Sequence, residues 1–81
     1  MSELLKNAVR RVVGTKQVLR ALEKGEVAHA FVAEDADEFI YRRIRSAAEE
    51  AKVPVTVIPT MAELGKACRV EVGTAAAAIL R

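Results

Sequence analysis

At 81 residues the chain has room for one domain, which would bury about 60% of its unfolded surface and so can hold a single core without staples. Hydrophobic residues make up 52% of the chain and aromatics only 4%, so the core is built from Val, Ile, Leu and Ala, and a sheet of base-stacking rings of the RRM kind is not expected. The formal charge of +2 permits nucleic-acid binding without requiring it, while the lone Cys68 rules out an intrachain disulfide and the lone His29 leaves no partner for a zinc site or a His-based triad.

In chain order, Ser2 and Glu3 open a segment whose Leu4, Leu5, Ala8 and Val9 recur at helical spacing and whose Arg10 and Arg11 suit a helix C-terminus, so a first helix is predicted over roughly residues 3 to 10. Val12 and Val13 are a β-branched pair that ends at Gly14, a very short strand feeding the next helix. Gly14 supplies backbone freedom and Thr15 reads as an N-cap, so the second helix starts there and stops near Gly25. Residues 28 to 33 (AHAFVA) are a short apolar run between turn signals, the pattern of a central strand covered on both faces.

The acidic cluster 34 to 38 then loops out and caps a third helix. From Phe39 onward, Ile40, Ile44, Ala47, Ala48 and Ala51 form its apolar stripe, with Arg42, Arg45 and Glu49 outward and Arg45 and Glu49 spaced to pair. Pro54 bars its continuation, and Val55, Thr56, Val57 and Ile58 predict a second buried strand. Thr60 to Glu63 is a capping box that starts a helix running to about Cys68. Gly65 inside that helix costs about 1 kcal/mol relative to Ala, which implies close packing or close approach of a partner. Residues 69 to 73 form a loop with Val70 and Val72 in a polar setting, and the alanine-rich 75 to 80 is assigned as a last strand, although alanine propensity argues for helix. The alternation implies a three-layer α/β/α sandwich with a small mixed sheet, and residues 1 to 81 as one domain.

Residues 14 to 20 (GTKQVLR) carry the chemistry. Lys16, Arg20 and Lys24 fall on one edge of the helix with Gln17 beside Arg20, opposite Val18, Leu19 and Leu22. Cations at a helix N-terminus oppose its dipole, an arrangement that suits an anion, and nucleic acid is the obvious one. Further positive charge gathers at Arg42, Arg43 and Arg45, and at Lys66 and Arg69.

Four stretches in the same order and spacing, GTKQVLR at 14 to 20, AEDAD at 33 to 37, VPVTVI at 53 to 58 and LGKACRVEVG at 64 to 73, resemble the kink-turn-binding ribosomal-protein family of the L-seven-Ae and L-thirty-e type, its short bacterial members above all. The resemblance covers almost the whole chain. It implies a non-catalytic RNA-binding protein that recognises kink-turns, duplexes bent by a three-nucleotide bulge beside tandem sheared G·A pairs, in ribosomal or other structured RNA. By position, Gly14, Thr15, Lys16, Gln17 and Arg20 match the family's segment that enters the widened major groove at those pairs. Val70, Glu71 and Val72 match the loop over the bulged nucleotides, and Lys66 and Arg69 flank it. Lys16 stands where archaeal and eukaryotic relatives carry Asn, Gln17 where they carry Glu, and Glu38 where the family has Pro.

Plainer readings stand beside these. Residues 14 to 20 taken alone are an ordinary capped surface helix, and Arg42, Arg43 and Arg45 a solvated face. Lys66 and Arg69 are as well explained by exposure as by phosphate contact. His29 reads as the start of a strand and Cys68 as a small buried hydrophobe, and the acidic cluster lacks the alternating ligands and glycine of a calcium loop. The rival function is a protein-interaction or ribosome-associated scaffold that keeps the fold without RNA recognition. No nucleophile and base pair, metal cluster or phosphate loop points to an enzyme, and no cofactor is expected. The charged, amphipathic start and short apolar runs lead us to expect a monomeric, cytoplasmic protein with no membrane contact.

Overall fold

Four short apolar runs become strands and three amphipathic segments become helices in the computed structural model, which describes residues 10–81. The helix predicted at 3 to 10 lies outside the described residues except for Arg10. In order the elements are β1 (Arg11–Val13), α1 (Thr15–Glu23), β2 (Val27–Ala33), α2 (Glu38–Glu50), β3 (Val55–Ile58), α3 (Met61–Ala67) and β4 (Ala76–Leu80). The sheet order is β1-β4-β2-β3, with β4 antiparallel to both its neighbours and β2 parallel to β3. A parallel pair needs a crossover, and α2 provides it.

Side-chain alternation along β2 divides the core into two layers. Ala30 and Val32 face α1 and α2, packing with Val18, Leu22, Ile44 and Ala48; Phe31 and Ala33 face α3, packing with Leu64, Ala67 and Cys68. The expected α/β/α layering of a small mixed sheet is therefore present. Ala76, Ala77 and Ala78 have no exposed surface, with Ala76 and Ala78 in the first layer and Ala77 in the second. Pairing on both edges and burial on both faces override the helix propensity of this run, so the assigned strand forms. Its small side chains leave room for helices on either side.

The helix ends follow local chemistry, with one correction. Gly14, at φ 110 and ψ 144, is the N-cap of α1 and Thr15 its first helical residue, so Thr15 does not cap it and no side chain does. At the other end the Gly25 N–H donates to the Leu22 carbonyl at 3.1 Å and the Glu26 N–H to the Ala21 carbonyl at 3.0 Å. With Gly25 at φ 71, this is a Schellman closure, which a residue with a Cβ would strain.

On α2 the outward pairing also differs from expectation. Arg42 pairs with Glu38 at 2.7 Å, whereas Arg45 turns back to the Tyr41 hydroxyl at 3.0 Å, with its guanidinium over that ring. Phe39 is 70% exposed, so the buried stripe begins at Ile40. His29, expected to start the strand, lies within it; its Nε2 is 2.7 Å from the Thr56 hydroxyl and its ring stacks on Phe31. Burial lowers its pKa below the ordinary histidine value.

Candidate nucleic-acid interface

One end of the sheet gathers the segments of interest. Gly14, directly after β1, donates its N–H to the Ala76 carbonyl at 2.9 Å; the Ala33 N–H, at the end of β2, donates to the Ala75 carbonyl at 2.8 Å; and the Glu34 N–H donates to the Ile58 carbonyl, at the end of β3, at 2.8 Å. The Thr74 N–H donates to the Met61 carbonyl at 3.1 Å. The start of β4 is therefore tied to the start of α1, the end of β2 and the first residue of α3. All three described helices begin at this end of the sheet.

Their beginnings differ electrostatically. Asp37 accepts the Phe39 N–H of α2 at 2.9 Å, Thr60 accepts the Glu63 N–H of α3 at 3.1 Å, and Asp35 accepts the Met61 N–H at 2.7 Å. Each of these side chains satisfies an otherwise unpaired amide at the positive end of a helix dipole. At α1 there is neither a side-chain cap nor an acidic residue in the first turn. That helix end keeps its positive field, with Lys16, Gln17 and Arg20 exposed around it and Val18 fully buried beneath.

Gln17 does not extend freely outward. A Cβ on Gly14 would lie 2.5 Å from the Gln17 Oε1, so the amide folds over the glycine and occupies space that any other residue would claim. Gly14 thus serves twice, through its positive φ and through the room it leaves.

The second predicted segment is held against α3. Gly65 is buried, and a Cβ there would run into the Val72 carbonyl oxygen, with the Gly73 Cα 3.1 Å away. Close packing, one of the two explanations anticipated for this glycine, is what the fold uses. Gly73 in turn lies against Met61, and the Val70 N–H returns to the Gly65 carbonyl at 3.0 Å after Arg69 takes a positive φ of 62. Pinned along its backbone, the loop turns Val70 and Val72 outward, 37% and 75% exposed, between the exposed Lys66, Arg69 and Glu71.

Val72 is four residues before Ala76, so even a fully extended chain keeps it within about 14 Å of the Gly14 contact. The α1 tip and the valine loop therefore share one end of the molecule. Lys16, Gln17 and Arg20 come from one side of it and residues 70 to 72 from the other.

Two supports were not legible as such in the sequence. Asp35 belongs to an acidic cluster expected to cap only the helix after it, yet it caps α3, 26 residues away. Arg11, expected at a helix C-terminus, is instead the first residue of β1; it donates from Nη2 to the Cys68 carbonyl at 3.1 Å and fastens the chain just before the valine loop. Burial raises the Cys68 thiol pKa, with the Arg11 charge pulling the other way. Among the described residues no group of three His, Cys, Asp or Glu is placed to hold a metal ion, and no helix is long and apolar enough to cross a membrane.

The ribosomal protein L7Ae/L30e/S12e/Gadd45 family matches over residues 1–81. The chain belongs to this family. The RNA-binding protein YbxF of Geobacillus stearothermophilus is 52% identical over 79 residues, covering 98% of this chain and 96% of that protein. RNA-binding protein BH0128 of Halalkalibacterium halodurans is 36% identical over 77 residues, covering 95% and 94%. Among solved structures, the Giardia lamblia 15.5kD RNA binding protein superposes with a TM-score of 0.87 at 29% identity, covering 99% of this chain and 70% of that one. The family's α/β fold and its short bacterial relatives are those the four sequence stretches pointed to.

Proposed function

We propose that residues 1 to 81 act as one non-catalytic RNA-binding domain that recognises kink-turns and stabilises the bent RNA. The observation that carries this reading is the shared end of the sheet, to which both an uncapped helix N-terminus bearing Lys16, with Arg20 one turn further along, and a loop with an outward-facing pair of valines are tied. An intact A-form major groove is too deep and narrow for side chains, so a helix tip reaches base edges only where non-canonical pairs have opened it. Lys16 and Arg20 can donate to guanine O6 and N7, Gln17 offers a donor and an acceptor, and the free amides of α1 suit a phosphate.

Val70 and Val72 suit an unstacked base, which gains by leaving water for an apolar surface, while Lys66 and Arg69 are placed to meet neighbouring phosphates. A protein with these two contacts binds the kinked conformer better than the extended one, and that difference in affinity alone shifts the RNA toward the kink. Relatives described as RNA-binding proteins agree with this reading. Ribosomal or other structured RNA is the partner class, bound by the monomer.

Calorimetric titration of a kink-turn duplex against the same duplex with its G·A pairs replaced by Watson-Crick pairs tests the proposal. Strong preference for the first is expected. Equal affinity for the two refutes kink recognition, and no binding to either favours the scaffold reading.

A further inference from the structure

Among the described residues, the large hydrophobic side chains left exposed are Phe39, Val70 and Val72. The valines belong to the loop already discussed, whereas the Phe39 ring has no role in the core or in that loop. Phe39 is the second residue of α2, so it sits at the end of the sheet where α1 begins. With Glu38, Arg42, Arg43 and Ser46 it lines an open groove of about 520 Å³. Arg43 and Ser46 also line the adjoining groove of about 660 Å³ between α1 and α2, whose other wall is Leu19, Leu22 and Glu23. Lys16 and Arg20 do not line these grooves, but Leu19 is one turn from Lys16 and next to Arg20 in sequence, so the grooves border the helix that carries those cations.

Charge along this surface is uneven. Lys16, Arg42 and Arg43 occupy the first two turns of their helices and Glu23, Glu49 and Glu50 the last turns, while Arg20 lies in the last turn of α1 and Lys24 is its C-cap. The end near the α1 tip is the more cationic, and the far end mixes Glu23, Glu49 and Glu50 with Arg20 and Lys24. The acidic neighbours of Phe39 are already engaged: Glu38 pairs with Arg42 at 2.7 Å, and Asp37 accepts the Phe39 N–H at the positive end of α2. Among the described residues Arg43 makes no ion pair.

We propose that Phe39, Arg42 and Arg43 form a second RNA contact, taking a base and adjoining phosphates that flank the kink, bordering the helix that carries Lys16 and Arg20. The inference rests on the reading of this protein as a kink-turn binder and extends its footprint to α2. RNA is favoured over a polypeptide because one exposed ring supplies only a small fraction of the total surface, on the order of 800 Å² per partner, that a stable protein interface buries. A nucleobase needs only one ring face to stack on, with arginine beside it for the backbone.

The test uses two kink-turn RNAs, one trimmed close to the kink and one with both stems extended by about one helical turn, titrated over a range of salt concentrations with wild-type protein, Phe39→Ala and Arg43→Ala. Both positions are exposed, and circular dichroism confirms that each variant folds. On the extended RNA each variant should bind roughly tenfold more weakly. Arg43→Ala should also lower the salt slope by about one. On the trimmed RNA both should match wild type. Variants that bind the extended RNA as wild type does overturn the inference, as does equal loss on both RNAs. Equal wild-type affinity for the extended RNA with and without its G·A pairs overturns the kink-turn reading, and this inference with it.

Discussion

Gly65→Ala should both destabilise the fold and weaken RNA binding, against the simple rule that alanine improves a helix. In an exposed helix interior the substitution would gain about 1 kcal/mol. Here the new methyl meets the Val72 carbonyl oxygen and the Gly73 Cα, which are backbone atoms with no rotamer to escape into. Ordinary contact starts near 3.5 Å, so the loop must retreat by about 1 Å. Overpacking of this kind costs about 1 to 3 kcal/mol, which offsets the propensity gain and leaves a net loss on the order of 1 kcal/mol. For a domain of this size that corresponds to a drop of about 4 to 8 °C in Tm. The same retreat moves Val70 and Val72, so kink-turn affinity should fall while the α1 tip is untouched. Thermal melts followed by circular dichroism, paired with calorimetric titration, read both effects. A variant with raised Tm and wild-type affinity would show that the loop is not pressed on α3 as described.

Lys16→Ala and Arg20→Ala should each weaken kink-turn binding by about 1 to 3 kcal/mol if they contact base edges, with Tm barely changed; titration beside a melt separates the two quantities. Asp35→Ala removes the acceptor for the Met61 N–H and should cost about 0.5 to 2 kcal/mol, measured by urea unfolding. An unchanged midpoint would mean the bond contributes nothing. The pKa of His29 is lowered in the folded state, so the folded protein disfavours the charged ring. Its contribution is complete above the unfolded value of about 6.5 and is lost as pH falls through that value toward the folded one. His29→Gln should therefore flatten the acid side of the stability profile, as read from urea midpoints between pH 5 and pH 7.5.

Elements with a local signature were legible in the sequence. The β-branched run at 55 to 58, the capping box at Thr60 and the apolar stripe from Ile40 to Ala51 each carry their own periodicity or cap, and each forms where expected. One correction applies: β3 is an edge strand with only Ile58 buried and not the fully buried strand expected, because β-branching marks a strand and not its place in the sheet. Gly65 announced a close approach because nothing else justifies glycine inside a helix. Contacts set by tertiary placement were not legible. The reach of Asp35 to Met61 and of Arg11 to Cys68 depends on where the sheet brings distant segments together, which no window of sequence contains. Phe39 could have been recognised, since the spacing of Ile40, Ile44, Ala47 and Ala51 puts residue 39 off the stripe. Its hydrophobic character obscured that spacing. Thr15 was misassigned by one position because glycine is itself a competent N-cap when the preceding strand fixes its backbone.

The strand Ala76–Leu80 lies between β1 and β2, and among the described residues β1 has no other neighbour in the sheet. Among the described residues, β1 therefore has its strand partner only once residues 76 to 80 are free to fold. Only then does Gly14 find the Ala76 carbonyl and the α1 tip come to rest beside the valine loop. A chain without this strand would keep the cations of the candidate face but lose the hydrogen bonds that tie the start of α1 and the end of β2 to the start of β4, so the geometry proposed for RNA recognition depends on the alanine run.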